Sequence, residues 1–325
     1  MSTEWPKSDR QPKLSSLAGS CHAIELTGTL GFPLAEANVI ESSSKYNLRI
    51  ATQATISNSF QLIELCTEAE QLSQPVVLDA THTKLFDSFG IALLAAMVAV
   101  RRASGRSTEL ILPIATAAKR FLQEVALDGF VRGELPSPGT LEVRQMHALD
   151  ALFTDNVADL LVRGVPGIDK TNVYPIQLCL NELLQNVFEW SESPIGCTVL
   201  TRWYKQTRSV RLAVIDRGVG MPAALRRHQI QGLHRLTDAD VIEAAVTTPQ
   251  LTSRANGVGG LGLKTIREIV CSRGGRLTIV SLGAKVRWLA GKVDKVASQP
   301  FRGTAVEIDI RPSAPFDPET IINVF

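Results

Sequence analysis

Glu182 and Asn186 stand four residues apart in a stretch, Pro175 to Trp190, whose apolar residues Ile176, Leu180, Leu183, Leu184 and Val187 recur with a helical period. A spacing of four puts both polar side chains on one face of that helix. A carboxylate beside a carboxamide can hold a divalent cation together with phosphate oxygens. The carboxylate can also orient a water or accept a proton. The same pair occurs on the solvated face of many ordinary helices. Further along, Val210-Arg-Leu-Ala-Val-Ile215 reads as a strand that stops at Asp216 and runs into Gly218, Gly220 and Pro222. A carboxylate at a strand end, beside bare backbone, can accept a hydrogen bond from an adenine amino group while the glycines let a flat ring approach. Asp-x-Gly is also a common tight turn with an Asx cap.

A third stretch, Gly257-Val-Gly-Gly-Leu-Gly-Leu263, leads into the helical pattern Lys264 to Val270. Glycines before a helix N-terminus can set backbone N–H groups and the positive dipole end against phosphates. The preceding Thr247 to Asn256 are polar and turn-like, so the strand-first context of a dinucleotide fold is missing. No Gly-Lys-Ser/Thr occurs in the loop, which excludes a P-loop. Last comes Gly303-Thr304, heading a strand.

In this order and spacing the four pieces resemble the nucleotide site of the GHKL ATPases: gyrase B, the related heat-shock chaperones, histidine kinases, MutL and the anti-sigma-factor serine kinases. The resemblance spans roughly Leu141 to Pro312 and is nearest to the anti-sigma kinases. It implies ATP and Mg²⁺ as cofactors and a Bergerat-type α/β sandwich, with helices on one face of a mixed sheet. Glu182 looks like the acid that orients water or accepts a proton. Asn186 looks like the Mg²⁺ ligand. Asp216 looks like the adenine-reading carboxylate, with Gly218 and Gly220 beside the ring. Gly257, Gly259, Gly260, Leu261 and Gly262 fall in the phosphate-covering lid, Gly260 and Gly262 being the glycines that pack on phosphate. Thr304 is similar to the threonine that backs up Asp216 through a water. Two positions depart from the pattern. Where the family's kinases often carry His or Lys, eight residues after the acid, this chain has Trp190, which supplies no charge to a phosphate. Val258 falls where a first lid glycine is usual, with Gly257 one place early.

The chain has 325 residues, enough for two domains, and its 45% hydrophobic content is that of a globular protein. Residues 1–18 are polar and read as a loose tail. Glu134-Leu-Pro-Ser-Pro-Gly-Thr140 breaks the apolar pattern, so we expect a first domain over 19–135, a linker at 136–140 and the ATP-binding domain over 141–325. In the first domain, Asn47 to Thr52, Pro75 to Asp79 and Thr108 to Pro113 read as strands. Phe60 to Leu72, Gly90 to Ala103 and Ala115 to Ala126 read as helices. Such alternation implies an α/β sheet.

Val76-Val-Leu-Asp-Ala80, Phe86-Asp-Ser-Phe-Gly90 and Ala118 to Gly129 make Arg49 to Phe130 resemble a STAS domain, the anti-anti-sigma fold. In that family an Asp-Ser-Ser-Gly turn carries a serine phosphorylated by a GHKL kinase. Here the turn is Asp87-Ser88-Phe89-Gly90, with Phe89 at the usual acceptor position. Ser88, one residue early, is either an acceptor or the cap of the following helix. Phe89 is either core or an apolar contact with the kinase-like half.

The net charge of +2 argues against a general attraction to nucleic acid. Five scattered cysteines, Cys21, Cys66, Cys179, Cys197 and Cys271, form no Cys-x-x-Cys and suit a reducing cytoplasm. No apolar run is long enough to span a bilayer, and no signal-peptide core is present, so neither membrane nor export is expected. Two functions remain. One is an ATP-dependent regulatory enzyme, similar to an anti-sigma serine kinase fused to its STAS partner. The other is an ATP-gated switch without transfer chemistry, in which the lid orders on ATP. Either implies a protein partner: the chain's own STAS-like domain, a second copy in a homodimer, or an outside protein.

Overall fold

The computed structural model describes residues 45–227, 232–248 and 262–312. In the first part the order is β1 (Tyr46–Arg49), β2 (Gln53–Ala54), α1 (Ser59–Gln71), β3 (Val76–Asp79), β4 (Leu85–Phe86), α2 (Ser88–Ala103), β5 (Thr108–Ile111), α3 (Thr116–Glu124) and α4 (Leu127–Arg132). Then come β6 (Arg144–Met146), α5 (Ala151–Gly164), α6 (Lys170–Trp190), β7 (Cys197–Tyr204), β8 (Ser209–Asp216), α7 (Met221–Arg227), α8 (Asp238–Thr247), α9 (Gly262–Ser272), β9 (Arg276–Leu289) and β10 (Lys292–Ile310). All described residues fall within one contact unit, Ser43–Phe325.

The short strands β1, β3 and β5 form a parallel sheet in the order β1-β3-β5, with the buried, apolar β3 in the middle, Leu48 opposite Leu78 and Leu78 opposite Leu110. β2 and β4 pair separately, also parallel. The larger sheet runs β6-β7-β8-β10-β9. We expected a mixed sheet, but every pairing in it is antiparallel. The reason is that its long strands come as hairpins. β9 turns into β10 through Ala290 and Gly291, both at positive φ, the turn conformation whose twist matches the flanking strands.

Strand alternation gives this sheet two apolar faces. Val210, Leu212 and Val214 of β8 enter a core with α5, α6, α8 and α9. Ala213 and Ile215 enter a second core, shared with α1, α2 and the small sheet. Helices therefore cover both faces, not one. α2 lies against β7, β8 and β10 on one side and reaches β5 on the other. Thr198 Oγ1 on β7 donates 2.7 Å to the Ala92 carbonyl of α2. Lys285 Nζ on β9 donates 2.7 Å to the Ile56 carbonyl and 3.1 Å to Ser59 Oγ. Every residue of α2 from Ser88 to Ala99 is buried, and a helix apolar all round requires cover all round.

Asp87, not Ser88, caps α2. Its carboxylate accepts from Gly90 N at 2.8 Å and from Ile56 N at 2.9 Å. Ser88 is the first helical residue, fully buried, with Oγ 3.1 Å from the Tyr204 hydroxyl of β7. Phe89 is fully buried in the shared core. The helix expected over Ala115 to Ala126 is α3 (Thr116–Glu124), and a further short helix, α4, follows it. Ala126 takes a left-handed conformation (φ 54°) and separates α3 from α4.

Residues 134–140 carry no helix or strand. Cys66, Cys179, Cys197 and Cys271 are unpaired. No helix among the described residues is long and apolar enough to cross a membrane.

Candidate functional site

α6 is the rail of the site. Asp169 starts it, accepting from Asn172 N at 2.8 Å. Pro175, inside the helix, removes one N–H from its ladder. Val173, Ile176, Cys179, Leu180, Leu183, Leu184 and Val187 bury one face. Glu182 and Asn186 stay half-buried beside it. The Glu182 carboxylate lies against Gly262, the first residue of α9, so closely that a Cβ there would overlap it. The Asn186 amide nitrogen is buried without a protein hydrogen-bond partner. A phosphate oxygen would satisfy that donor, and a half turn of the amide would offer its carbonyl to a cation. The donor set thus fits a Mg²⁺–phosphate group.

β8 delivers Asp216 at its C-terminal end, 3% exposed. Gly218 N donates 2.8 Å to its carboxylate. Burial raises the Asp216 carboxyl from an ordinary 3.8 to about 6, against the opposing pull of the Gly218 and Thr304 N–H groups and the Arg217 charge. The loop after it is locked to the end of α6. Val219 N donates 2.8 Å to the Ser191 carbonyl, and Arg217 N donates 3.1 Å to Ser193 Oγ. A side chain at Gly218 would overlap that same Ser191 carbonyl, so this glycine is required by the chain's own packing. Gly220 sits at φ 84°, and a Cβ there would lie 2.9 Å from Leu282 Cδ2. Gly303, at φ 118°, passes so close to the Asp216 carbonyl that no side chain fits.

Thr304 pairs across the sheet with Ser281. Both hydroxyls accept from Met221 N at 3.0 Å and lie 3.3 Å from one another. Ser281 also donates 2.7 Å to the Gly303 carbonyl.

The structure thus gathers Asp216, Gly218, Gly220 and Thr304 around the end of β8, and Glu182 with Gly262 along α6. Gly257, Gly259, Gly260 and Leu261 lie outside the described residues. Sequence reasoning missed Ser281, Ser191, Ser193 and Arg217. Only the register of β10 on β9 brings Ser281 to Thr304, and no local pattern signals that pairing.

Residues 171–314 match the family described as histidine kinase-, DNA gyrase B-, and HSP90-like ATPase. Over that segment, which holds α6 and every strand from β7 to β10, the chain carries a GHKL-type ATPase domain. Among solved structures, the B-subunit of the DNA gyrase from Myxococcus xanthus aligns at 13% identity and a TM-score of 0.28, over 51% of this chain and 48% of that one. The chain therefore spans about half the length of that subunit. No curated protein matches the chain.

Proposed function

We propose that this protein binds ATP with Mg²⁺ and acts as a regulatory protein of the anti-sigma serine kinase type, in the cytoplasm, with a STAS-like domain over 19–135 joined by 136–140 to the ATP-binding domain at 141–325. The observation that carries the ATP reading is Asp216: a carboxylate buried at a strand end within the GHKL-type segment, braced by Gly218 N–H. When bound, Mg²⁺ supplies charge neutralisation for the phosphates. Asn186 would hold the cation. Glu182, on the same face of α6, would orient a water or accept the proton of a hydroxyl acceptor. Asp216 would accept from the adenine amino group, and Thr304 would support it. The α9 N-terminus behind Gly262 would face the phosphates with its dipole. The regulated partner is the STAS-like domain, a second copy or an outside protein.

A second reading has support of its own. Trp190, where related kinases carry a base, and Phe89, where related STAS domains carry the acceptor serine, favour an ATP-gated switch without transfer. Incubation with γ-labelled ATP separates the two. Phosphoprotein supports the kinase, free phosphate an ATPase, and neither the switch.

Asp216→Asn should weaken ATP binding by about 1–3 kcal/mol through loss of the charge-assisted hydrogen bond to adenine. Calorimetric titration of a folded variant with unchanged affinity would remove Asp216 from that role. The pH dependence follows from the raised carboxyl. Between 3.8 and about 6 the folded protein holds a proton that the unfolded chain releases, so the associated stability is present at low pH and lost as pH rises through about 6. The ionised form is the one that accepts from adenine. Wild type should therefore outbind Asp216→Asn above pH about 6, and the gap should close below it. An affinity gap that does not change between pH 5 and pH 8 would contradict the assignment.

A further inference from the structure

Arg217 follows Asp216 directly, and strand alternation sends its side chain to the opposite face of the sheet. There it is 7% exposed, ion-paired with Glu70 of α1, and its guanidinium carbon stands 4.5 Å from the centre of the Phe301 ring. Glu70 is largely but not fully buried, its side chain 14% exposed, and that burial raises its carboxyl above the usual range while Arg217 and Arg106 pull it down. The pair is joined through Arg217 Nη2 and Glu70 Oε2. Arg217 Nε and Nη1 and Glu70 Oε1 have no hydrogen-bond partner. A buried ion pair met at one point, with three polar atoms unsatisfied, adds little stability compared with apolar side chains in the same space. What it does provide is direction, because it ties one peptide of the site to one residue of α1.

We infer that the Arg217–Glu70 pair is a positioning device through which α1, on the rear of the sheet, sets adenine recognition at Asp216. The inference rests on the ATP reading above. Asp216, Arg217 and Gly218 are consecutive, so a shift of the Arg217 side chain turns the peptides on either side. Those peptides carry the Asp216 carboxylate and the Gly218 N–H that braces it. Arg217 N itself is fixed at 3.1 Å by Ser193 Oγ, so Glu70 and Ser193 hold the residue from both ends. Glu70 thus acts on nucleotide without touching it, from an element outside the GHKL-type segment at 171–314.

The test uses the full chain and two ligands, Mg·ATP and the purine ribonucleoside triphosphate that lacks the 6-amino group. The variants are Glu70→Gln and the double variant Glu70→Leu with Arg217→Met, which fills the same space without charge. ATP affinity should fall about tenfold in both variants, within the usual range of coupling between distinct sites. Affinity for the analogue should stay at its wild-type value. The unfolding midpoint of the double variant should match wild type, which separates lost positioning from lost stability. A double variant with wild-type ATP affinity, or an equal loss for both ligands, overturns the inference while leaving the ATP reading intact. A wild-type protein that binds neither ligand overturns both.

Discussion

Glu182→Gln is expected to leave ATP bound and to cut any phosphate release or phosphoprotein formation by about 10²–10⁴-fold, the usual contribution of a positioned acid–base group. The substitution keeps shape and removes charge. Shape matters because the carboxylate already packs on Gly262 at the start of α9, where anything larger than hydrogen collides with it. Those contacts hold Glu182 in place, so its alteration is felt at the reacting group and not in the fold. Asn186, one turn further along α6, keeps its buried amide, which on the proposed reading would still hold the phosphate end of the nucleotide. The signature is a fall in kcat with KM for ATP near its wild-type value. A variant that turns over at the wild-type rate would strip Glu182 of the role. A fall in affinity of the same size as the fall in rate would reassign it to nucleotide binding.

Arg101→Met is expected to destabilise the protein by about 3–5 kcal/mol. Arg101 is fully buried on α2, with no carboxylate among its hydrogen-bond partners. Its five N–H groups are all used instead. Nη1 donates to the carbonyls of Ala69 at 2.5 Å and Leu72 at 2.8 Å, and Nη2 to those of Gln74 at 2.7 Å and Ser107 at 2.9 Å. Nε donates 3.0 Å to Thr108 Oγ1. Ala69 belongs to the last turn of α1 and Leu72 follows it, so the cation also meets the negative end of that helix. Methionine fills the stem's volume and withdraws a donor from four carbonyls; Leu72 keeps Arg106 Nη1 and Ser107 keeps Val76 N, while the buried Ala69 carbonyl loses its guanidinium partner. Urea denaturation of the full chain reads the loss. A midpoint shift equivalent to less than about 1 kcal/mol would mean that water replaces the guanidinium, and that the clamp is dispensable.

The parts of the fold legible in the sequence are those whose signal is local. The helical recurrence from Ile176 to Val187 lies in α6, and the apolar run ending at Asp216 is β8. The strong apolarity of Gly90 to Ala103 was visible too. Its meaning, a helix needing cover on every side, depended on β7 and β8, more than a hundred residues away. The antiparallel pairing of the large sheet was hidden for the same reason, since a hairpin as long as β9–β10 contains a register shift between Ala297 and Phe301 that no period reveals. Asp87 and Ser88 are both good caps by type, and the choice between them is made by the positions of Gly90 N and Ile56 N. The left-handed turn at Ala126, from which the unforeseen α4 starts, has neither glycine nor proline to announce it. There Val143 N reaches back to the Val125 carbonyl, and tertiary pairing overrides helix propensity. Ser281 and Arg217 went unread at the site because their partners, Thr304 and Glu70, become neighbours only in three dimensions.

The place of α2 between the two sheets also governs how the chain must be made. Ala92 of α2 and the Thr198 that grips it are 106 residues apart. A ribosome adding roughly 5–20 residues each second leaves the most apolar helix of the protein waiting about 5–20 s for the strands that will cover it. During that interval its side facing β7 and β8 is greasy and unclaimed. The exposed surface has the composition that holdase chaperones grasp, and a truncated product ending in the 134–140 stretch would never outgrow it. Translation speed across 141–216 thus becomes a determinant of yield, and slowing it should increase the share of newborn chains lost to aggregation.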